Sequence, residues 1–320
     1  FSAFALALKL LWSARYSSMY NGGKIQISIE DNCTVGYVYG GGYRGTIGST
    51  SGDGGGKNNL DLIDIRISGG TILGDVFGGG RGGVDKICHN TDGSHNWGSS
   101  HNDSTGYSKV FVNEIIITLS GGIVEGDVYG GGKGVSVRST SIGPAITVMG
   151  DDGNLHDIPW LKSNPSYATY NESVYSRYAS MDASYIHINL AGAGTIGGVF
   201  GGGAFGTVDT QAIYIDIKNT RILEGIYGGG MGYATYDELG VVTSRSIDME
   251  ISNGSIVGTG LNSHSIIGGG AFAFTDVGSV SIDLKGSSTQ IRGDVHLGGL
   301  GYEISNGDSP IIMDGDERTL

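Results

Sequence analysis

Residues 62–83 read LIDIRISGGTILGDVFGGGRGG, and three features of this stretch decide the fold. Ile63, Ile65 and Ile67 alternate with Asp64 and Arg66, a period of two that gives a strand one apolar and one polar face. β-Branched Ile suits such a pleated, packed surface. Gly69-Gly70 then interrupts the run. The phrase Val76-Phe77-Gly78-Gly79-Gly80 follows, a β-prone pair joined to a triplet. Glycine tolerates both φ > 0 and close backbone approach, which a chain needs where it turns sharply from one sheet to the next.

The same order recurs along the chain. VYGGGYRG starts at Val38, VFGGGRGG at Val76, VYGGGKGV at Val128 and VFGGGAFG at Val199. IYGGGMGY starts at Ile226 and IIGGGAFA at Ile266, and VHLGGLGY from Val295 is a degraded last copy. Upstream of these lie KIQISI, LIDIRIS, EIIITLS, YIHINL, YIDIKN, SIDMEIS and SIDLKG. Repetition of a strand-and-turn unit that cannot bury its own apolar face predicts a stack of such units. The fold expected is all-β: a parallel β-helix (β-solenoid) of about seven coils, with Gly-rich turns and two large loop insertions on one side. Its inward ladder is Ile25, Ile27, Ile29; Ile63, Ile65, Ile67; Ile115, Ile117, Leu119; Ile186, Ile188, Leu190; Ile215, Ile217; Ile247, Met249, Ile251; and Ile282, Leu284. The residues before the triplets form a second ladder: Tyr39, Phe77, Tyr129, Phe200, Tyr227, Ile267 and His296.

Triplets begin at Gly40, Gly78, Gly130, Gly201, Gly228 and Gly268, so the intervals run from 27 residues (Gly201 to Gly228) to 71 (Gly130 to Gly201). The short intervals set the coil and the long ones carry insertions, at about 86–109 and 138–184. Both follow a triplet and therefore emerge along one edge. Residues 21–305 are assigned to the solenoid, 1–20 to an apolar cap or subunit-bridging segment, and 306–320 to a C-terminal tail.

Composition narrows the function. The chain has 61 Gly in 320 residues, but their fixed places between Ile-rich runs exclude collagen-like and disordered classes. A net charge of −13 without a Lys/Arg cluster leaves no counterion-release route to nucleic acid. Phe1–Trp12 is too short to span a bilayer. Cys33 and Cys88 hold different places in the coil, which favours two separate thiols.

The V-[YF]-G-G-G-x-x-G phrase after I-x-I-x-I strands resembles the Gly-rich repeats of bacterial cell-surface β-helix proteins of the adhesin-like kind, over roughly residues 21–305. The resemblance implies an extracellular or cell-surface location, a bacterial source and a non-catalytic scaffold: an adhesin-like module, or a subunit of an extracellular fibre. The partners expected are host and cell-surface glycans, or another copy joined head to tail through the open coil edges and the apolar N-terminal segment.

Candidate sites lie in the stacked columns and in the loops. Stacked about 4.8 Å apart, Asp216, Asp248 and Asp283 would form a carboxylate column on the last coils. This is the best clue to the alternative function, a carbohydrate-active β-helix enzyme or tailspike-like depolymerase; a neighbouring column of Lys218, Glu250 and Lys285 would neutralise it. Asp75, Asp127 and Asp294, just before their triplets, read as turn-stabilising. Cys88, His89, His95 and His101 are suitable metal-ligand types at spacings that match no known motif. Trp160, Tyr167, Tyr170, Tyr175 and Tyr178 offer rigid amphipathic contact area for binding. Phe4, Leu6, Leu8, Leu10 and Trp12 alternate as a strand, while Phe1, Phe4, Leu8, Leu11 and Trp12 would share one face of an amphipathic helix; either form could cap the first coil, and the segment could instead add to the next subunit as a strand. No cofactor is expected, Ca²⁺ in the loops at 52–56 or 149–154 being the exception considered.

Overall fold

The computed structural model describes residues 23–43, 46–48, 60–82, 108–134, 137–140, 145–149, 155–157, 179–192, 194–232, 240–258, 264–303 and 311–313. Three parallel sheets of seven strands repeat through them. The long sheet stacks Lys24–Ile29, Leu60–Ile67, Ser108–Leu119, Ala179–Ala191, Thr207–Lys218, Val242–Ser252 and Thr275–Leu284 in chain order. Two-residue strands such as Thr71–Ile72 and Ile123–Val124 make the second sheet; Val76–Phe77, Val128–Tyr129 and their equivalents make the third. Each coil passes once through all three, and no helix occurs among the described residues. The molecule is a parallel β-solenoid of seven coils, numbered here one to seven from the N-terminus.

Three aliphatic columns run down the axis inside the long sheet. The middle one is Ile27, Ile65, Ile117, Ile188, Ile215, Met249 and Ile282. Its members on coils two to six are buried, as are their neighbours on the flanking columns. Valines of the third sheet, Val76, Val128 and Val199, close the core from the opposite side.

The register differs from the sequence reading on coils five and seven. Ile186 pairs with Ile213, and Ile247 with Val280, so the inward sets there are Ile213, Ile215, Ile217 and Val280, Ile282, Leu284. A slip of two residues keeps every side chain on its own face, so the alternating pattern could not detect it; the distance to the next corner decides it.

The long strands also begin earlier than the alternating runs, at Ser108 and Ala179, within the segments assigned to insertions. Alternation breaks once in each: Asn113 and Glu114, and likewise Ser184 and Tyr185, are consecutive residues that both escape full burial, and Ser184 drops out of the paired register there. The inward hydroxyls at this break bond to backbone carbonyls: Thr210 Oγ1 donates to Ser184 O at 3.2 Å, and Ser244 Oγ to Ser246 O at 2.8 Å. Buried polar atoms are thereby satisfied where the ladder is irregular. In the second insertion, Val137–Thr140, Ala145–Met149 and Leu155–Asp157 form an antiparallel sheet of their own.

Glycine has two separate uses at the corners. Between the long and second sheets the chain turns through left-handed residues, among them Asn32 (φ 64°), Gly70 (78°), Gly122 (80°), Asn219 (47°) and Asn253 (55°). Only Gly and, at modest cost, Asn settle there. None of the triplet glycines has positive φ, so of the two reasons expected for them close approach alone applies. A Cβ on Gly130 would run into the carbonyl oxygen of Gly201 and lie 2.7 Å from Ile186 Cγ2 on the next coil.

Candidate functional site

The acidic column on the long sheet does not have the expected membership. Asp216 pairs with Glu250, and Glu250 with Asp283, whereas Asp248 lies between Tyr214 and Ser281. The two-residue slip removes Asp248 from the column and brings in Glu250, which had been assigned to the lysine column. Lys218 instead stands beside Ser252. The three carboxylates carry two lysines: Lys218 Nζ is 2.5 Å from Asp216 Oδ2, and Lys285 Nζ is 2.6 Å from Glu250 Oε2 and 3.4 Å from Asp283 Oδ2. Hydrogen bonds to Asp216 and Glu250 raise these ammonium groups above the ordinary lysine range. Asp248 accepts a hydrogen bond from Ser246 Oγ at 3.1 Å.

Perturbed groups gather elsewhere, on the outer side of the third sheet at coils one to three. Tyr39, Phe77, Tyr129, Phe200 and Tyr227 stack face to face, with centroids 5.0, 4.8, 4.7 and 4.6 Å apart and planes within 12° of parallel. The residue after each triplet returns over this ladder in two lines of parallel bridges, Tyr43, Arg81 and Lys133 on coils one to three and Ala204, Met231, Ala271 and Leu300 on the rest, joined by an antiparallel bridge from Lys133 to Phe205. A second apolar core, distinct from the axial one, results. Over its first half the cover is aromatic or cationic: Lys133 Nζ lies 5.0 Å from the Tyr37 ring centroid and 5.7 Å from that of Phe77, distances at which a cation is attracted to the ring.

Two aspartates seal the edge of this ladder. Asp75 Oδ1 accepts the Asp127 N–H at 3.1 Å, and Asp127 Oδ1 accepts the Gly198 N–H at 2.6 Å, each reaching one coil forward. Asp127 Oδ2 accepts the Tyr129 hydroxyl at 2.9 Å, and Lys133 Nζ stands 3.8 Å from Asp75 Oδ2. Asp294, the third member expected here, is on coil seven, with coils four to six intervening. Burial, reinforced by the charge of Glu224, pushes the Asp127 carboxyl up to about 6, against the hydrogen bonds from Tyr129 and Gly198. Burial raises Tyr129 well above the ordinary phenol range and lowers Lys133, the latter opposed by Asp75. Both Asp127 oxygens are occupied by internal donors. The arrangement can lock coils three and four together.

A pH dependence follows. The fold favours the protonated form of Asp127, so its contribution falls as pH rises from 3.8 through about 6. That interval corresponds to about 3 kcal/mol. Asp127→Asn, which stays neutral, is expected to flatten this part of the curve and to stabilise the protein at pH 7. Urea midpoints of both chains from pH 4 to 8 check it; parallel curves would remove Asp127 as the cause.

A smaller cluster lies on the outer face of the long sheet. His187 stacks on Tyr214 with centroids 4.7 Å apart, His187 Nε2 is 3.4 Å from Glu114 Oε1, and the half-exposed Tyr185 donates to Gln211 Oε1 at 3.4 Å. Burial lowers the His187 pKa against the pull of Glu114.

Searches against family models, curated proteins and solved structures find no match.

The other expected sites fall outside the described residues: Phe4, Leu6, Leu8, Leu10 and Trp12; Cys88, His89, His95 and His101; and Trp160, Tyr167, Tyr170, Tyr175 and Tyr178. Cys33 packs half-buried against the axial core. Among the described residues no group of three His, Cys, Asp or Glu is placed to hold a metal ion, and no helix is long and apolar enough to cross a membrane. The sequence reading missed the polar cover of the aromatic ladder. Its signal was available: the residue after the triplet is Tyr43, Arg81 or Lys133 on three successive coils and apolar on the remainder.

Proposed function

We propose that this chain is a non-catalytic extracellular scaffold of the bacterial adhesin-like kind, which displays loops from one edge of a rigid solenoid toward cell-surface glycans. The observation that carries this reading is the common exit of the insertions. The chain leaves the frame after the triplet of coil two at Gly82 and rejoins it at Ser108; it leaves after the triplet of coil three at Gly134 and rejoins the long sheet at Ala179. The pairing of the acidic column with lysines, and of Asp75 and Asp127 with backbone N–H groups, supports a structural role for the carboxylates. A fibre form joins copies end to end, one subunit adding a strand from residues 1–20 to the open coil of the next.

The test replaces residues 158–178 by a Gly/Ser linker and compares both chains on a glycan array. Binding is expected to be lost while the melting temperature stays within a few degrees. If the intact chain instead releases new reducing ends from a polysaccharide, and Glu250→Gln, in the middle of the acidic column, abolishes that release, the scaffold reading fails in favour of the enzyme.

A further inference from the structure

Coil seven departs from the repeat at one position with a geometric meaning. The first glycine of each triplet, Gly40, Gly78, Gly130, Gly201, Gly228 or Gly268, faces the following coil. A Cβ there would strike that coil's carbonyl oxygen, on Gly78, Gly130, Gly201, Gly228, Gly268 and Leu297 in turn. It would also come within 2.5 Å of Ile63 Cγ2 at coil two and 2.9 Å of Val280 Cγ1 at coil seven. Six coils are followed by another coil, and all six have Gly. Coil seven has Leu297 at this place, 60 % exposed. The third glycine of the triplet faces backward, toward Gly230 O from Gly270 and toward Gly270 O from Gly299, and coil seven keeps it. The second glycine also faces forward, as Gly269 does toward Gly299, and coil seven keeps it as Gly298; of the three positions only the first, whose Cβ would strike a carbonyl oxygen of the following coil, is replaced.

The surroundings agree. Phe274, Leu284, Val295 and Leu297, all on coil seven or its approach, are 56, 46, 44 and 60 % exposed, and among the described residues no further coil covers this end. Beyond Leu300 the chain leaves the coil path and Gly301–Glu303 pairs antiparallel with Ile311–Met313.

We infer that Leu297 ends the stack: its Cβ bars a further coil, including the first coil of a second copy of this chain, from seating on coil seven in register. The corner is blocked, but the edge of Thr275–Leu284 is not, so a partner at this end adds a single extended strand to the long sheet rather than a turn of solenoid. This deepens the end-to-end form proposed above by restricting the contact that form can use. The geometry of coil seven holds whether or not copies assemble.

The test needs no assembly. Leu300 occupies on coil seven the place that Met231 holds on coil five, since Met231, Ala271 and Leu300 follow one another along the same line of bridges. A second copy of residues 232–271 placed directly after Leu300 therefore supplies an eighth coil with the correct lead-in. It is made in the parent, Leu297→Ala and Leu297→Gly chains, and hydrogen exchange reports the Thr275–Leu284 amides and those of the added coil. Protection of the added coil is expected only with Leu297→Gly. Because the obstruction is the Cβ, Leu297→Ala should behave like the parent. Equal protection in the parent and Leu297→Gly chains would overturn the inference, as would an added coil that stays unprotected in the Leu297→Gly chain while coils one to seven remain protected.

Discussion

Gly130→Ala is expected to destabilise the solenoid by about 3 kcal/mol or more, whereas Gly36→Ala, three residues before the first triplet's Tyr39, should be close to neutral. The two glycines differ in what stands over them. A Cβ on Gly36 meets nothing within 4 Å, but on Gly130 it meets the backbone of coil four and Ile186 Cγ2 at 2.7 Å. Overpacking a well-filled core costs about 1–3 kcal/mol when side chains can give way. Here the obstacle is a carbonyl oxygen in the ladder, and moving it separates coil three from coil four. Urea midpoints of the two variants beside the parent check this. Equal midpoints for Gly130→Ala and the parent would mean that the coils can part locally without loss.

Ile65→Asp should be at least as damaging. Ile65 is fully buried between Ile27 and Ile117 in the middle column, and every polar partner is on the opposite face of its strand. An unpaired carboxylate there costs several kcal/mol, and it can lower that cost only by taking up a proton. The variant is therefore expected to accumulate unfolded at pH 7. Ile65→Val, which removes one methylene, should lose about 1 kcal/mol. Circular dichroism of both at matched concentration separates the outcomes. A folded Ile65→Asp chain at neutral pH would contradict the placement of the column.

Most of the architecture was legible because two signals reinforced each other. Alternation in runs such as LIDIRIS assigned the inward face, and the triplets marked one corner of every coil. The register on coils five and seven was not legible, since moving Ile213 or Val280 by two residues leaves the pattern of faces unchanged. That ambiguity decided the fate of the acidic column: Asp248 belonged to another line, and Glu250 took its place between Asp216 and Asp283. The early start of the long strands escaped notice because Thr210 and Ser244 are polar yet buried, which alternation alone reads as a strand end. The role of Asp127 depends on a donor one coil forward, Gly198, at a separation of 71 residues. No local motif encodes such a pair; it exists only once the intervening insertion has been looped out.

That looping out has a consequence for recognition. The described coil path stops at Gly82 on coil two and at Gly134 on coil three and resumes in the long sheet at Ser108 and Ala179, so the two insertions start from adjacent coils, at points fixed about 4.8 Å apart by the strand spacing. The frame works as a ruler whose graduations do not move when a loop is lengthened, shortened or exchanged. Two weak contacts, one from each loop, would act on a common target at the high effective concentration that a short tether provides. Affinity could then rise or fall by editing either loop alone, with no compensating change in the coils beneath.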